Sequence, residues 1–254
     1  MAIVHLVMQK KGGVGKSMIC SFWYQFLQKE GYSVQGLDTD PSNKTFAEFA
    51  ELSVAKLELL DQNDDIDPRR FDVLVETIYK LDSSDHLIID TGSSCYTALF
   101  SYLKHNNPLA LIKEAGHQVY VHTPVAGGAD VIATSACLND LVNTFPDLDF
   151  IVWKNRYHGE LVVDDKPFEE FKVYPNIKKS LAADIEIPLK NPATFGKDIQ
   201  LMLAKKHTFQ AAMNSSLPVM VRQRLAIFWK EACKAMKNAL VFNQPVQFQK
   251  ANEA

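Results

Sequence analysis

The sequence predicts an α/β fold: three-layer α/β/α with a mainly parallel central sheet. Three observations carry this reading. A short β-branched apolar run, Ile3-Val4-His5-Leu6-Val7-Met8, passes through a glycine-rich loop directly into a helical pattern. Further apolar runs end in Asp38-Thr39-Asp40-Pro41, in Asp90, in Thr123-Pro124 and in Asn155-Arg156, so polar side chains collect where buried strands stop. Helix-spaced apolar residues fill the intervals, the alternation that a parallel sheet covered on both faces requires.

The first unit is the most informative. Its strand is followed by Gln9-Lys10-Lys11-Gly12-Gly13-Val14-Gly15-Lys16-Ser17, then by Ile19, Cys20, Phe22, Trp23, Phe26 and Leu27 on one helix face, with Gly31 as the stop. Strand, glycine loop and helix are the context of a phosphate-binding loop. The glycines let backbone N–H groups crowd around an anion without Cβ clashes, and the helix N-terminus adds about half a positive charge. Lys16 is placed to reach β and γ phosphates, and the Ser17 hydroxyl to ligate Mg²⁺. The loop departs from G-x-x-x-x-G-K-[ST] at its first glycine, which is Lys10, and carries a second lysine, Lys11, before Gly12-Gly13.

Ser33-Val34-Gln35-Gly36-Leu37 reads as a second strand, closed by Pro41, which forces extended geometry on Asp40. Asp38 and Asp40, two apart on an extended chain, point the same way, towards the strand end where ligands bind in open α/β sheets. Phe46, Phe49 and Leu52 give a helical pattern over Thr45 to Leu52, and Leu57 to Leu60 reads as a minor strand. Asp61 to Asp67 is a solvated acidic loop. Asp67 and Pro68 then start a helix that buries Phe71, Leu74, Val75 and Ile78. Leu87-Ile88-Ile89-Asp90 is a rigid strand that presents one carboxylate near a metal. Strands at Gln118 to Thr123 and Asp149 to Asn155 flank a helix from Val131 to Phe145, and Ile185-Glu186-Ile187-Pro188 closes the last strand. Pro192 to Lys206 and Pro218 to Val241 read as C-terminal helices, the second burying Leu225, Phe228, Trp229, Ala232, Met236, Ala239 and Leu240.

A hydrophobic content of 47% supports a large core, and no linker interrupts the chain. One domain over residues 1–254 is expected, with residues 190–243 as C-terminal helices packed on it. There is no charged-then-apolar leader and no apolar run of roughly 18 residues, so a cytoplasmic location without membrane insertion is expected. Cys20, Cys95, Cys137 and Cys233 are widely spaced and read as buried thiols. His5, His86, His117 and His122 have neither ligand nor triad spacing and read as satisfied or exposed residues. The net charge of −3 conceals an asymmetry: residues 178–250 hold 12 Lys+Arg against 4 Asp+Glu, and the remainder 15 against 26. A basic C-terminal third on an acidic body points to a polyanionic or acidic partner, non-specific DNA among them.

Lys11-Gly12-Gly13-Val14-Gly15-Lys16-Ser17 resembles the deviant Walker A loop of the ParA/MinD superfamily of P-loop ATPases. Asp38-Thr39-Asp40-Pro41 is similar to its switch I, and Ile88-Ile89-Asp90 to its Walker B strand. The resemblance implies ATP and Mg²⁺ as cofactors, an ATP-dependent homodimer and slow hydrolysis. It places Gly12, Gly13, Val14, Gly15, Lys16, Ser17 and Met18 around the phosphates and sends Lys11 across the dimer to the partner's nucleotide. Ser17, Asp38 and Asp90 then serve Mg²⁺, Asp40 orients the attacking water, Asn155 contacts adenine and Pro188 flanks it. Gly92-Ser93-Ser94-Cys95 departs from the small and proline residues of the family's switch II, which leaves open a nucleotide-binding adaptor with vestigial hydrolysis. Val152-Trp153-Lys154-Asn155 and Arg222-Gln223-Arg224-Leu225 narrow the resemblance to the TraL-type (StbB-like) proteins of conjugative plasmids. That implies a role in plasmid transfer or maintenance and a plasmid-encoded partner. The tail beyond Gln244 lacks the basic amphipathic ending of membrane-cycling MinD proteins.

Overall fold

In the computed structural model, which describes residues 1–43, 45–82 and 84–240, β1 (Ile3–Val7) lies in the middle of a seven-stranded sheet. β2 (Ser33–Asp38), β3 (Val54–Lys56), β4 (Asp85–Asp90), β5 (Gln118–Ala126), β6 (Asp149–Asn155) and β9 (Leu181–Glu186) complete it in the order β3-β2-β4-β1-β5-β6-β9. Every ladder in this sheet is parallel. β7 (Val162–Val163) and β8 (Lys166–Pro167) form a separate antiparallel pair. Because side chains alternate along a strand, Ile3 and Val7 enter one core and Val4 and Leu6 the other. The first core packs under α1 (Lys16–Lys29), α7 (Lys197–Ala204), α8 (Phe209–Asn214) and α9 (Val219–Lys237). The second packs under α2 (Arg70–Tyr79), α3 (Tyr96–Asn106), α4 (Pro108–Glu114) and α5 (Val131–Thr144), with the short α6 (Tyr174–Ile177) beside α5. The three layers expected from the sequence are present.

Several local expectations are corrected. Thr45 to Leu52 is a series of turns, although Phe46, Phe49 and Leu52 are all buried. Here the Asp38 carboxylate accepts the Ala47 N–H at 3.0 Å, a competitor to helical hydrogen bonding. The minor strand is Val54–Lys56, and Leu60 makes only an isolated bridge to Ile66. β5 continues through Pro124 to Ala126. Pro124 is tolerated because its backbone faces the side where β1 has ended; its carbonyl accepts from the Gln9 side chain at 3.0 Å. The first C-terminal helix starts as a wide turn at Pro192–Gly196 before α7. α9 ends at Lys237 and Asn238 to Leu240 leave the helix in a turn, short of the expected end at Val241; residues 241–243 and the tail beyond Gln244 lie outside the described residues. Its apolar face docks as expected, with Trp229 stacked on Phe209 at 4.5 Å between ring centroids and Arg224 paired with Asp198 at 2.5 Å.

The histidines are brought together by the strand order β4-β1-β5. Trp23 Nε1 donates to His5 Nδ1 at 3.1 Å, and Trp153 Nε1 donates to His122 Nδ1 at 2.9 Å. An indole N–H can only donate, so both Nδ1 atoms are unprotonated acceptors. His122 Nε2–H must then donate to His5 Nδ1 at 2.9 Å, and His5 Nε2–H to His86 Nδ1 at 3.0 Å. The direction of each bond follows from the two tryptophans. Burial holds all three rings neutral: His122 is pulled down to about 3, His86 to about 4, and His5 well below its ordinary value, helped by His122 and His86.

Candidate functional site

β1 delivers the glycine loop to the carboxyl edge of the sheet between β4 and β5, its neighbours on either side. This is where strand order reverses and where open α/β sheets form crevices. The loop is anchored at its start: Gln9 is fully buried, and its Nε2 donates to Pro124 O at 3.0 Å and Thr134 O at 3.2 Å. It ends on Gly15, the N-cap of α1, whose φ of 98° lies in the left-handed region open to glycine. The first turn of α1, Lys16-Ser17-Met18-Ile19, carries no acid, so the positive helix end is uncompensated. Lys16 is 8% exposed, and its Nζ folds back to donate to Lys11 O at 3.2 Å. Burial pulls its pKa down, while Asp90 and Asp40 draw it back up.

Three carboxylates reach the same edge. Asp38 and Asp90 are register partners at the ends of β2 and β4, and Val7 is the partner of Asp90 on the other side. Asp90 is 1% exposed, and neither of its oxygens has a hydrogen-bond partner of sound geometry among the described residues. Burial pushes its pKa up to about 7. The nearby Ser17 hydroxyl and Lys16 oppose that rise, and Asp38 and Asp40 add to it. An orphaned buried carboxylate beside a serine hydroxyl is a donor set that a hard divalent cation completes, so the residues fit Mg²⁺. Asp38 is also buried; its oxygens accept Asp40 N and Ala47 N, each at 3.0 Å, and burial raises its pKa. Asp40 accepts Ser42 N at 2.9 Å and Ser94 Oγ at 3.3 Å. A Cβ on Gly92 would lie 2.3 Å from Asp40 Cγ, so only glycine there permits this carboxylate position. Gly92 and Ser94 therefore both pack directly on Asp40.

On the other side of the loop a cavity of about 320 Å³ is lined by Gly13, Gly15, Met18, Asn155, Tyr157 and Pro188, among others. The structure thus brings Asn155, at the end of β6, and Pro188, two residues beyond β9, to the same cavity as the loop. Asn155 is buried, its Nδ2 donates to Val14 O at 3.2 Å and its Oδ1 accepts Tyr157 N at 3.1 Å. In this form its amide ties β6 to the glycine loop. Lys11 Nζ pairs with Asp130 Oδ1 at 3.0 Å. Gln9 as anchor, Ser94 against Asp40 and Asp130 against Lys11 were not foreseen. Each acts on a partner distant in sequence or in an adjoining loop, and local spacing carries no signal of such pairs.

Residues 5–229 match the CobQ/CobB/MinD/ParA nucleotide binding domain family, and the chain belongs to that family. It is 39% identical over 243 residues to Protein TraL of Escherichia coli, covering 95% of this chain and 100% of that relative. A second TraL protein from Escherichia coli is 39% identical over 229 residues, covering 89% and 94%. Among solved structures, the MinD cell division protein of Aquifex aeolicus is similar with a TM-score of 0.49 and 13% identity, covering 90% of this chain and 95% of that one. The septum site-determining protein MinD complexed with Mg-ADP from Pyrococcus horikoshii OT3 gives 0.48 and 14%, covering 91% and 96%. Among the described residues no helix is long and apolar enough to cross a membrane.

Proposed function

We propose that this protein is a cytoplasmic ATP- and Mg²⁺-dependent switch that pairs with a second copy of itself and acts in conjugal transfer or maintenance of plasmids. The observation that carries the nucleotide reading is Asp90, buried beside Ser17 at the foot of a glycine loop with no well-formed hydrogen bond to either oxygen among the described residues. Similarity to TraL over nearly the whole chain supports the plasmid setting and a plasmid-encoded partner. Backbone N–H groups of Gly12 to Met18 and the Lys16 ammonium hold the phosphates, and Asn155 and Pro188 bound the space for the base. Mg²⁺, when bound with ATP, supplies charge neutralisation, and Ser17 and Asp90 would hold it, with Asp38 behind them. Asp40, fixed by Ser94 and Gly92, orients water in line with the terminal phosphate, where positioning supplies most of the rate. Lys11 acts across the dimer. The adaptor alternative, with vestigial hydrolysis, draws on the altered switch II.

Two lysines of the basic C-terminal third pair with the acidic body, Lys206 with Glu48 and Lys237 with Glu30, while Lys190 with Glu231 and Arg224 with Asp198 pair within that third. Lys230 and Lys234 make no ion pair among the described residues and are exposed, so weak phosphate contact with DNA centres on them. Steady-state phosphate release with Lys16→Ala as the blank tests the enzyme reading. Release above that blank supports the switch, and none at any protein concentration, with ATP still bound, supports the adaptor.

A further inference from the structure

β4 leaves the sheet at Asp90, and the residues that follow are pinned almost without a break. Thr91 Oγ1 donates to Val7 O at 2.7 Å, Ser94 Oγ to Asp40 Oδ1 at 3.3 Å and Cys95 Sγ to Gly92 O at 3.3 Å. One hydroxyl in this segment has no such task. Among the described residues Ser93 Oγ makes no hydrogen bond, and the residue is exposed. Yet it is turned into the site: a Cβ on Gly12 would lie 3.3 Å from Ser93 Oγ and 3.9 Å from Ser93 Cβ. The oxygen thus leads the side chain onto the start of the glycine loop. α3 begins directly after Cys95 with no side-chain cap and no acid in its first turn, so its positive end adjoins the same segment.

The place of this hydroxyl along the cleft identifies what it meets. The cavity assigned above to the base lies on the Asn155 side of the loop, against Gly13, Gly15 and Met18. The carboxylates stand on the other side, where Gly92 and Ser94, the neighbours of Ser93, pack on Asp40. A nucleotide laid along the loop from that cavity ends its phosphate chain on the side of Gly12 and Ser93. We propose that the Ser93 hydroxyl is a specificity-determining contact for the terminal phosphate, donating to an oxygen that ATP has and ADP lacks. The proposal rests on the nucleotide reading above and gives the divergent segment after β4 a side-chain means of telling the two nucleotides apart. A hydroxyl donating to a charged oxygen in a site open to water is worth roughly tenfold in affinity, the lower end for such bonds.

Displacement of a fluorescent ADP analogue from dilute full-length protein with Mg²⁺, by ADP and by the imido analogue of ATP, tests this. Wild type should favour the ATP analogue. Ser93→Ala should bind that analogue roughly tenfold more weakly, with ADP affinity and melting temperature unchanged. Ser93→Thr, which keeps the hydroxyl on an exposed side chain, should restore the preference. An ATP-to-ADP affinity ratio in Ser93→Ala equal to that of wild type overturns the proposal, whether both affinities hold or both fall. A ratio lowered as far in Ser93→Thr as in Ser93→Ala also overturns it, since the hydroxyl is then not the cause. Wild type that binds neither nucleotide overturns the nucleotide reading and this contact with it. Wild type that binds both, with a ratio indifferent to Ser93, overturns the contact alone.

Discussion

Lowering pH should destabilise this fold steeply, because three buried imidazoles cannot accept a proton without breaking their chain. His5 Nδ1 already receives the Trp23 N–H and the His122 N–H, so a proton there would face two donors. With folded values of about 4 for His86 and about 3 for His122, and His5 lower than normal, the unfolded chain takes up protons first as pH falls through the ordinary histidine range. Stability from these groups is fully present above about pH 6.5 and is lost as pH falls below it. Asp90 works in the opposite direction, since its raised value lets the folded state bind a proton that the unfolded state lacks between about pH 4 and 7. Three protons against one leaves a net slope of about 3 kcal/mol per pH unit between roughly pH 6 and 5, a large part of a typical stability. Urea denaturation followed by tryptophan fluorescence from about pH 7.5 to 5 measures it. In His86→Gln the slope should fall by about 1.4 kcal/mol per pH unit, whatever happens to the absolute stability. A flat profile in wild type, or an identical slope in the variant, refutes the neutral-chain argument.

Asp40→Ala should bind ATP with nearly wild-type affinity, accumulate as an ATP-loaded pair and lose turnover by roughly 10²–10⁴-fold, measured by phosphate release and gel filtration. Gly92→Ala should give the same kinetic phenotype, because its Cβ claims the place of the Asp40 carboxyl; normal turnover would show that Asp40 works from another position. Lys230, Lys234 and Lys237 changed together to Glu should abolish low-salt DNA binding in gel shifts while leaving nucleotide affinity intact. Wild type that shifts no DNA in any nucleotide state would remove that partner.

The layered fold was legible because its signals are local. β-branched runs such as Leu87-Ile88-Ile89 and helix faces such as Phe22, Trp23 and Phe26 are set by period alone, and both are buried as read. The glycine loop and the three aspartates were legible for the same reason, each sitting at a strand end in sequence order. Thr45 to Leu52 misled because its apolar spacing fits a helix, while backbone hydrogen bonds to Asp38 and the burial of Phe46 are satisfied by turns. The histidine chain was invisible: His5, His86 and His122 are far apart in sequence and meet only through the β4-β1-β5 order. Strand order also hid the Lys11–Asp130 contact, since no residue pattern near either one announces the other.

The central claim is that the edge formed by the glycine loop, Ser17 and Asp90 holds ATP with Mg²⁺. Isothermal titration of ATP into wild type, Lys16→Ala and Asp90→Asn, each with and without Mg²⁺, tests it directly. The account predicts binding by wild type that tightens with Mg²⁺, no binding by Lys16→Ala, and binding by Asp90→Asn that no longer responds to the metal. Absence of ATP binding by wild type, or a metal response in Asp90→Asn equal to wild type, would contradict it.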